Sequence, residues 1–398
     1  MWKTMRLGDV CDFQNGFAFK SSLFKENGKP ILRISNIQNE KIDTRKTVYF
    51  DAKDYDTDFS RYEVKPDDLL IAMSGATTGK IGFNKTDTTY YLNQRVGNLK
   101  PKPTLDKVFL YYLLSTKVQE NLSISKGTAQ PNLSSEQIKN ISFSLPPLAE
   151  QQRIVAKLDA AFAEIDAAIA AADSKETEVE KLRASLLSAS LSGVAVMWKT
   201  MRLGDVCEFE NGDRGKNYPS KKHQVEKGIP FINAGDLSAD GKITSDGMAY
   251  ITNERFELLG AGKIEIDDIL FCLRGSLGKC AINNSFDKGA IASSLVIIRP
   301  DKSELIPEFL LYLLKSQLTA KLIQETAGGT AQPNLSAKVV SNYELFIPPL
   351  AEQQRIVAKL DAAFANLGDA KDAVAKSKLN YQSLKSSILA QELQSEAV

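Results

Sequence analysis

PPLAEQQRIVAKLDAAFA, at Pro146–Ala163, occurs a second time without a change at Pro348–Ala365. Each copy opens with two prolines, which are favoured at a helix entrance, and continues into a pattern with helical spacing. The opening residues, MWKTMRLGDVC, also return unchanged at Met197–Cys207. The chain therefore reads as two copies of one open reading frame joined end to end, with a period of about 200 residues.

Similarity between the copies is uneven. The stretch GTAQPNLS at Gly127–Ser134 returns in full at Gly329–Ser336, whereas Phe17–Val64 and Asp213–Ile266 share little beyond an apolar rhythm. Identical stretches indicate one task performed twice, and divergent stretches indicate a separate task for each copy. Natural duplication, with halves that were once separate homodimeric subunits, and deliberate design both produce repeats of this kind.

The variable portions have the pattern of mixed, β-rich domains. Short apolar runs bounded by Gly, Asn, Pro and Ser predict strands. In the first copy these runs are Pro30–Ser35, Leu69–Met73, Lys80–Phe83 and Val96–Leu99. Leu105–Leu122 has apolar residues at helical spacing and predicts a helix.

The repeated stretch begins two long heptad patterns, each predicting roughly 60 Å of helix. A helix this long and this polar outside its seam needs a partner, and the other copy supplies one. The alternative is that each helix packs only on its own domain. The heptads also place Leu182 and Leu384 between the main seam positions. The predicted seam residues are Leu158, Ile165, Ala172, Val179 and Leu186 in the first helix, and Leu360, Leu367, Val374, Tyr381 and Ile388 in the second.

We therefore predict an α+β fold with a pseudo-two-fold internal repeat. Two mixed, β-rich domains are joined by two long helices that form an antiparallel coiled coil, with Gly193 ending the first helix. The predicted boundaries are 1–148 for the first domain, 149–193 for the first helix, 194–350 for the second domain and 351–398 for the second helix.

Composition narrows the function classes. The 398 residues carry a net charge of +1, so any DNA binding depends on local patches or on a partner. The four cysteines form no CxxC pair, and the only histidine is His223, so we expect no metal site and no histidine-based catalysis. No run approaches the roughly 18 apolar residues of a membrane span. With no signal-peptide core at the N-terminus, a cytoplasmic location is the expectation.

The repeated elements resemble a known family. The PPLAEQQRIVAKLD helix start, the GTAQPNLS loop, the LGDVC opening of each half and the two-fold repeat are similar to those of the specificity subunit of type I restriction-modification systems. The resemblance covers the whole chain. It implies that each β-rich domain is a target recognition domain that reads one half of a bipartite DNA sequence, and that the helices set the spacer.

The same resemblance implies the partners. Two methyltransferase (M) subunits would dock on the chain, carry S-adenosylmethionine and methylate adenine N6. A restriction (R) subunit, using ATP and Mg, would join them. No cofactor and no catalytic residue is expected in this chain. In agreement, both Pro-Pro pairs lie in Leu145–Leu148 and Ile347–Leu350, where they start helices and offer no polar residue to a flipped base.

Gly75–Lys80 resembles a phosphate-binding loop but departs from its pattern. It has three residues between the glycines where four are needed, and Ile81 stands where Ser or Thr would hold magnesium. We therefore favour contact with DNA phosphates through Lys80 and, in the second copy, Lys279. The alternative is a plain β-turn with a solvated lysine.

Polar residues of the divergent portions are the candidate DNA contacts, because Arg, Asn and Gln side chains pair with base edges. An ordinary surface role is the alternative for each of them. The first-domain candidates are Arg33, Ser35, Asn36, Ser74, Thr77, Thr78, Lys80, Asn93, Gln94 and Arg95. The second-domain candidates are Arg214, Lys216, Asn217, Tyr218, Lys221, Lys222, His223, Asn233, Arg274 and Lys279.

The stretch Gly127–Asn132 and its copy Gly329–Asn334 are identical, which favours a structural or subunit-contact role over base reading. Two other functions stay open. One is a coiled-coil scaffold that joins two protein-binding modules without DNA. The other is an ATP-hydrolysing enzyme that uses Lys80.

Overall fold

The computed structural model describes residues 2–38, 40–124, 132–192, 198–327 and 334–394. By its contacts the chain divides into two compact units. One comprises Met1–Ala172 with Lys376–Val398, and the other comprises Asp173–Ala375. Each unit thus combines one β-rich domain with part of both long helices, whereas the predicted boundaries keep each helix whole. Gly193 lies outside the described residues.

The described part of the first unit contains three sheets. Their strand orders are β2-β10-β7-β8-β4, β5-β3-β9-β6 and β1-β11, and among these strand pairs β3/β9 and β4/β8 are parallel while the others are antiparallel. The strands are β1 (Lys3–Arg6), β2 (Cys11–Asn15), β3 (Lys29–Leu32), β4 (Glu40–Lys41), β5 (Val48–Phe50), β6 (Glu63–Val64), β7 (Leu69–Ala72), β8 (Ile81–Phe83), β9 (Tyr90–Leu92), β10 (Val96–Pro101) and β11 (Ser142–Leu145). The helices are α1 (Leu7–Val10), α2 (Lys107–Ile124), α3 (Ser135–Lys139) and the start of α4 (Leu148–Ser192).

Strand β7 shows why the first sheet is apolar on both faces. Leu69 and Ile71 pack in the core that includes Phe109 of α2, while Leu70 and Ala72 face the core shared with the second sheet. A strand covered on both sides reads as a continuous apolar run rather than an alternating one. The sequence Leu-Leu-Ile-Ala follows that rule.

The second unit repeats this plan. Its sheets have the orders β13-β20-β17-β18, β14-β16-β15-β19 and β12-β21. The strands are β12 (Lys199–Arg202), β13 (Cys207–Asn211), β14 (Gln224–Val225), β15 (Ile229–Ile232), β16 (Ala249–Ile251), β17 (Ile269–Cys272), β18 (Cys280–Ile282), β19 (Ala290–Ile291), β20 (Leu295–Pro300) and β21 (Glu344–Ile347). The helices are α5 (Leu203–Val206), α6 (Asn253–Glu257), α7 (Pro307–Leu314), α8 (Gln317–Thr326), α9 (Ala337–Ser341) and the start of α10 (Leu350–Gln394).

The stretches that are identical in the two copies meet in space within each unit. In the first unit β1 pairs with β11, with Met5 opposite Phe143, just before the two prolines and α4. In the second unit β12 pairs with β21 in the same way, with Met201 opposite Leu345. We call each assembly of paired strands and following helix start a helix root.

One buried glutamine holds each helix root together. Gln151 is fully buried; its Oε1 accepts from the Asp106 N–H at 2.7 Å, and its Nε2 donates to the Thr104 and Pro146 carbonyls at 2.9 and 2.8 Å. Gln353 does the same with Ile306, Glu304 and Pro348 at 2.8 Å each. Because buried amides must be hydrogen-bonded, this residue fixes the helix entrance.

The two long helices run antiparallel within each unit. In the first unit Lys157 pairs with Glu392 at 2.6 Å and Asp166 with Lys385 at 3.0 Å, so the partner number falls as the residue number rises. In the second unit Lys371 pairs with Glu180 at 2.7 Å, and the Arg183 guanidinium lies 4.3 Å from the centroid of the Phe364 ring.

Every predicted main seam residue is buried or half-buried. Leu182 and Leu384 are instead 49% and 47% exposed, so their predicted places in the seam are wrong, and Leu187 is buried at the end of α4. A helix of 3.6 residues per turn drifts against a strict seven-residue repeat, which accounts for the shift. The helix starts also pack on their own domains, through Ile154 and Leu158 in the first unit.

Candidate nucleic-acid interface

Three chain segments meet at one end of the sheets in the first unit. The first segment follows β3, the second follows β7, and the third connects β9 to β10. Thr77 Oγ1 donates to the Ile34 carbonyl at 3.0 Å. The backbone N–H groups of Met73 and Asn93 donate to the carbonyls of Arg95 and Leu32 at 2.9 and 3.0 Å. We call residues 33–38, 74–80 and 93–95 the first turn cluster.

The second unit builds an equivalent cluster from residues 233–238, 274–279 and 292–294. The Leu273 N–H donates to the Ser294 carbonyl at 2.8 Å, and the Ala292 N–H donates to the Ile232 carbonyl at 2.7 Å. These bonds match those made by Met73 and Asn93. The two clusters therefore share one backbone and differ in side chains, with Ser293 and Ser294 at the positions of Gln94 and Arg95.

All ten first-domain candidates lie in the first turn cluster, but their side chains are differently engaged. Asn36 is 3% exposed; its Oδ1 accepts from the Arg33 N–H at 3.0 Å and its Nδ2 donates to the Asp43 carbonyl at 2.8 Å. The structure thus gives Asn36 a role in holding the turn instead of the predicted DNA contact, because its amide is occupied inside the domain. Arg33 donates to the Lys46 carbonyl at 3.1 Å.

The remaining candidates of this cluster range from exposed to buried. Ser35, Gln94 and Arg95 are exposed, Asn93 is half-buried, and the Thr78 hydroxyl donates to the Gly75 carbonyl at 2.6 Å. Ser74 is buried, and its hydroxyl has no hydrogen-bond partner in the described part of the chain.

The Gly-Lys loops are turns between antiparallel strands. Gly75 and Gly79 have φ values of 77° and 82°, and Gly275 and Gly278 have 79° and 76°, a region that favours glycine. Such a loop would lead into a helix in a phosphate-binding nucleotide site, but here it connects β7 to β8 and β17 to β18. This topology does not support the hypothesis of an ATP-hydrolysing enzyme that uses Lys80.

The lysines of these loops are half-buried ties within the clusters. Lys80 Nζ donates to Gln38 Oε1 at 3.0 Å, and Lys279 Nζ donates to the Ala234 carbonyl at 3.0 Å. Each lysine thus links the loop after β7 or β17 to the turn after β3 or β15. The alternative of a plain turn with a solvated lysine therefore does not fit Lys80 or Lys279.

The second-domain candidates fall into two groups. Asn233, Arg274 and Lys279 belong to the second turn cluster, and Arg214 Nη2 reaches it by donating to the Ser293 carbonyl at 3.3 Å. Asn233 Oδ1 accepts from the Gly235 N–H at 2.7 Å. The other candidates lie on a segment beside α6: Lys216, Asn217, Tyr218, Lys221, Lys222 and His223.

Within that segment, the polar groups serve mainly to fix the chain. Asn217 Nδ2 donates to the Leu258 carbonyl at 2.8 Å, and the Tyr218 ring packs edge-on against Phe231 at 5.7 Å. Lys221 and Lys222 are exposed. Desolvation, with the charges of Arg255 and Lys222, lowers the pKa of His223. The lysines are therefore the accessible cations of this segment, while Asn217 and Tyr218 support it.

The repeated loop ends beside each cluster. Gly127–Pro131 and residues 329–333 lie outside the described residues. Beyond them, Asn132 and Asn334 form bridges with Ser74 and Arg274, and the Leu133 N–H donates to the Met73 carbonyl at 2.8 Å. A backbone attachment to the turn cluster is thus common to both copies.

All four cysteines are buried and free, and burial raises the pKa of the Cys11 and Cys207 thiols to about 12. Among the described residues, no group of three or more His, Cys, Asp or Glu side chains could hold a metal ion. In the same ranges, none of the helices is both long and apolar enough to span a membrane.

Comparisons with known proteins agree on one family. A family model described as the type I restriction modification DNA specificity domain matches residues 1–172 and 195–373. The specificity subunit of the type I restriction enzyme EcoBI from Escherichia coli is 24% identical, over 99% of this chain and 86% of its own.

Two solved structures share the fold. A chain from a study of complex assembly and conformational transition in the type I R-M system superposes with a TM-score of 0.77. It is 22% identical and covers 99% of this chain and 98% of its own. The HsdS subunit from Thermoanaerobacter tengcongensis gives a TM-score of 0.56 at 23% identity, over 99% and 97% of the two chains.

Proposed function

The chain belongs to the family of type I restriction-modification specificity subunits, and we propose that each of its two domains reads one half of a bipartite DNA target. The observation that carries this proposal is the contrast between two regions. The helix roots share the KTMR strand, the PPLAEQQ helix start and the hydrogen bonds of the buried glutamine, whereas the turn clusters keep one backbone and exchange their side chains. A shared frame with divergent polar groups suits the reading of two different half-sites.

In this proposal the antiparallel helices set the spacer between the half-sites. Because the helix starts are identical, they present the same groups twice, for example the exposed Glu150–Arg153 and Glu352–Arg355 ion pairs at 2.7 Å. Repeated surfaces of this kind suit two copies of one methyltransferase subunit. That partner would carry S-adenosylmethionine and methylate adenine N6, and a restriction subunit with ATP and Mg would complete the assembly. This chain supplies sequence selection and docking, with no catalytic residue of its own and with the cytoplasm as its place of action.

The DNA-contacting groups would lie in the two turn clusters and on the exposed lysines beside α6. Contacts to phosphates supply affinity without sequence information, and Lys221 and Lys222 are suited to that task. Specificity would come from cluster side chains that the fold leaves free.

The decisive experiment is co-expression of the chain with its methyltransferase subunit, followed by single-molecule sequencing of genomic DNA. We expect adenine methylation at one motif made of two short sequences separated by an unspecified spacer. A contiguous motif, or the absence of any methylated motif from an expressed and assembled complex, contradicts the proposal.

Two variants separate the roles of domain and helix. Replacing Phe13–Ser144 with another recognition domain should change one half-site and leave the other. Inserting one heptad after Ala172 should lengthen the spacer and leave both half-sites intact, because the recognition domains are unaltered. A spacer that does not respond removes the ruler role from the helices.

A further inference from the structure

Within the first turn cluster, two polar side chains differ from the rest because the fold does not use them. Gln94 and Arg95 are exposed, and neither side chain makes a hydrogen bond or ion pair within the described ranges. By contrast, Asn36 is buried and bonded, Arg33 donates to the Lys46 carbonyl, and Lys80 donates to Gln38. The strongest donors left for an external partner are therefore the Gln94 amide and the Arg95 guanidinium.

The turn that carries them is rigidly held. The Asn93 N–H donates to the Leu32 carbonyl, the Gln94 N–H to the Phe17 carbonyl and the Val96 N–H to the Asn93 carbonyl, at 2.8–3.0 Å. Gly16 lies so close beneath the turn that a Cβ atom there would stand 2.0 Å from the Asn93 carbonyl oxygen. Free side chains on a fixed backbone lose less freedom on binding than side chains on a mobile loop.

The second unit provides an independent observation. Its equivalent turn carries Ser293 and Ser294, whose side chains are also unbonded in the described structure, and an arginine reaches the turn from outside. Arg214 is exposed, and its one hydrogen bond in the described structure is the 3.3 Å bond from Nη2 to the Ser293 carbonyl. A single such bond leaves most of the guanidinium donors free.

Gly16 and Gly212 occupy equivalent positions in the two domains, and they show which residue of the first domain corresponds to Arg214. Gly212 lies beneath the Ala292 carbonyl as Gly16 lies beneath that of Asn93, so Arg214 occupies the position of Ala18. Each turn therefore has an exposed guanidinium beside it, from Arg95 of the turn itself in the first domain and from Arg214 of the neighbouring segment in the second, where the exposed Arg274 also lies in the cluster.

Resting on the proposed function, we infer that Arg95 and Arg214 are the guanine readers of the two half-sites, and that Gln94 supports Arg95 by pairing with an adjacent base. A guanidinium presents two parallel donors to guanine O6 and N7, and a glutamine amide matches the adenine edge. The serine hydroxyls of the second turn discriminate less, because a hydroxyl pairs with either kind of edge. The first half-site should accordingly be the more strictly defined of the two beside its guanine.

The test uses the full chain in its complex with the methyltransferase subunit. Methylation rates are compared on DNA that carries each base pair in turn at every half-site position. Arg95→Ala should lower discrimination at one guanine of one half-site by about 5- to 150-fold, and Arg214→Ala should do so only in the other half-site. Gln94→Ala should relax the neighbouring position.

Two controls accompany these variants. Arg61→Ala removes the same charge from the first domain, but that guanidinium already lies over the Tyr62 ring at 4.6 Å, so the motif should not change. Replacing Gln94-Arg95 with Ser-Ser copies the native turn of the second domain, so loss of selectivity cannot be assigned to a misfolded turn. Thermal unfolding of each variant checks this directly.

The outcomes are separable. A bipartite motif that is unchanged in Arg95→Ala and Arg214→Ala overturns the inference and leaves the proposed function standing. Uniform weakening on all sequences, with a shallower salt dependence, also overturns it, because the arginines would then contact phosphates. A wild-type complex without a bipartite motif contradicts the proposed function itself.

Discussion

The helix root and the turn cluster lie in the same domain and use polar side chains in opposite ways. In the root, Gln151 buries its whole amide and bonds to three backbone groups. In the cluster, Gln94 leaves its amide in solvent above a fixed backbone. The Gln151 side chain stabilises the fold, whereas the Gln94 side chain makes no bond in the part of it that the structure describes. The second copy keeps the buried glutamine as Gln353 and has Ser293 in place of Gln94.

This difference explains how one frame can serve two specificities. Residues whose polar groups are internally bonded can be exchanged only for residues that keep those bonds, because otherwise a buried partner is left unsatisfied. Residues whose polar groups face solvent can be exchanged at little structural cost. The comparison therefore predicts that stability effects concentrate in the root and specificity effects in the free side chains of the cluster.

The largest expected effect is at the root. Gln151→Ala removes the buried amide that bonds three backbone groups, so we expect the free energy of unfolding to fall by about 3 kcal/mol or more. Urea unfolding checks this. Gln152→Ala changes the exposed neighbour and should have little effect, and Gln353→Ala with Gln354→Ala repeats the pair in the second unit. Equal effects of Gln151→Ala and Gln152→Ala would contradict the role of the buried amide.

A smaller loss of stability is expected at Asn36, a residue of the turn cluster whose amide is buried and internally bonded like that of Gln151. Asn36→Ala leaves the Arg33 N–H and the Asp43 carbonyl without their bonds, so we expect a loss of roughly 1–3 kcal/mol. Ser35→Ala, at the exposed neighbour, serves as the matched control. If Asn36→Ala kept full stability and instead altered a single base of the half-site, Asn36 would be a reader and the comparison would fail at this position.

The sequence predicts the domains and helices well, but it predicts poorly which polar side chains stabilise the fold and which stay free. Repetition and heptad spacing identify the domains, the antiparallel helices and seam residues such as Leu158 and Ile165. The role of Gln151 is not visible in the pattern, because a glutamine in a polar helix start looks solvent-exposed. The seven-residue repeat predicts Leu182 in the seam, but the helix has 3.6 residues per turn, and the resulting drift turns this side chain toward solvent.

For the candidate interface, residue type identifies the chain segments of the turn clusters. It does not identify which side chains in those segments are free to bind. Asn36 and Arg95 are equally suited to base contact by chemistry, and only the folded backbone shows that the first is occupied and the second free. Ser293 and Ser294 escaped the prediction because serine is a weak signal. Their position between β19 and β20, matching Gln94 and Arg95 between β9 and β10, could have indicated them.

The finest test exchanges one cluster residue for its counterpart in the other copy. Asp236 occupies the position of Asn36: its Oδ2 accepts from the Asn233 N–H at 2.8 Å. Burial raises the pKa of Asp236, while the bond from Asn233 and the charge of Lys279 act in the opposite direction. Because the folded-state pKa is raised, the ionised carboxylate destabilises the fold above that pKa. The penalty disappears as pH falls below the unfolded value of about 4.

Asp236→Asn should therefore stabilise the second domain at pH 7, by about 1 kcal/mol, since the amide keeps the acceptor and adds a donor. That donor would face the Thr244 carbonyl, because the Thr244 N–H bonds to the residue 236 carbonyl just as the Asp43 N–H bonds to that of Asn36. The gain should shrink as pH falls toward 4. Asp240→Asn, where a hydrogen bond from Ser238 lowers the pKa, should show the opposite sign. Chemical unfolding across pH measures both, and a loss of stability in Asp236→Asn at pH 7 would mean that the two clusters do not share one frame.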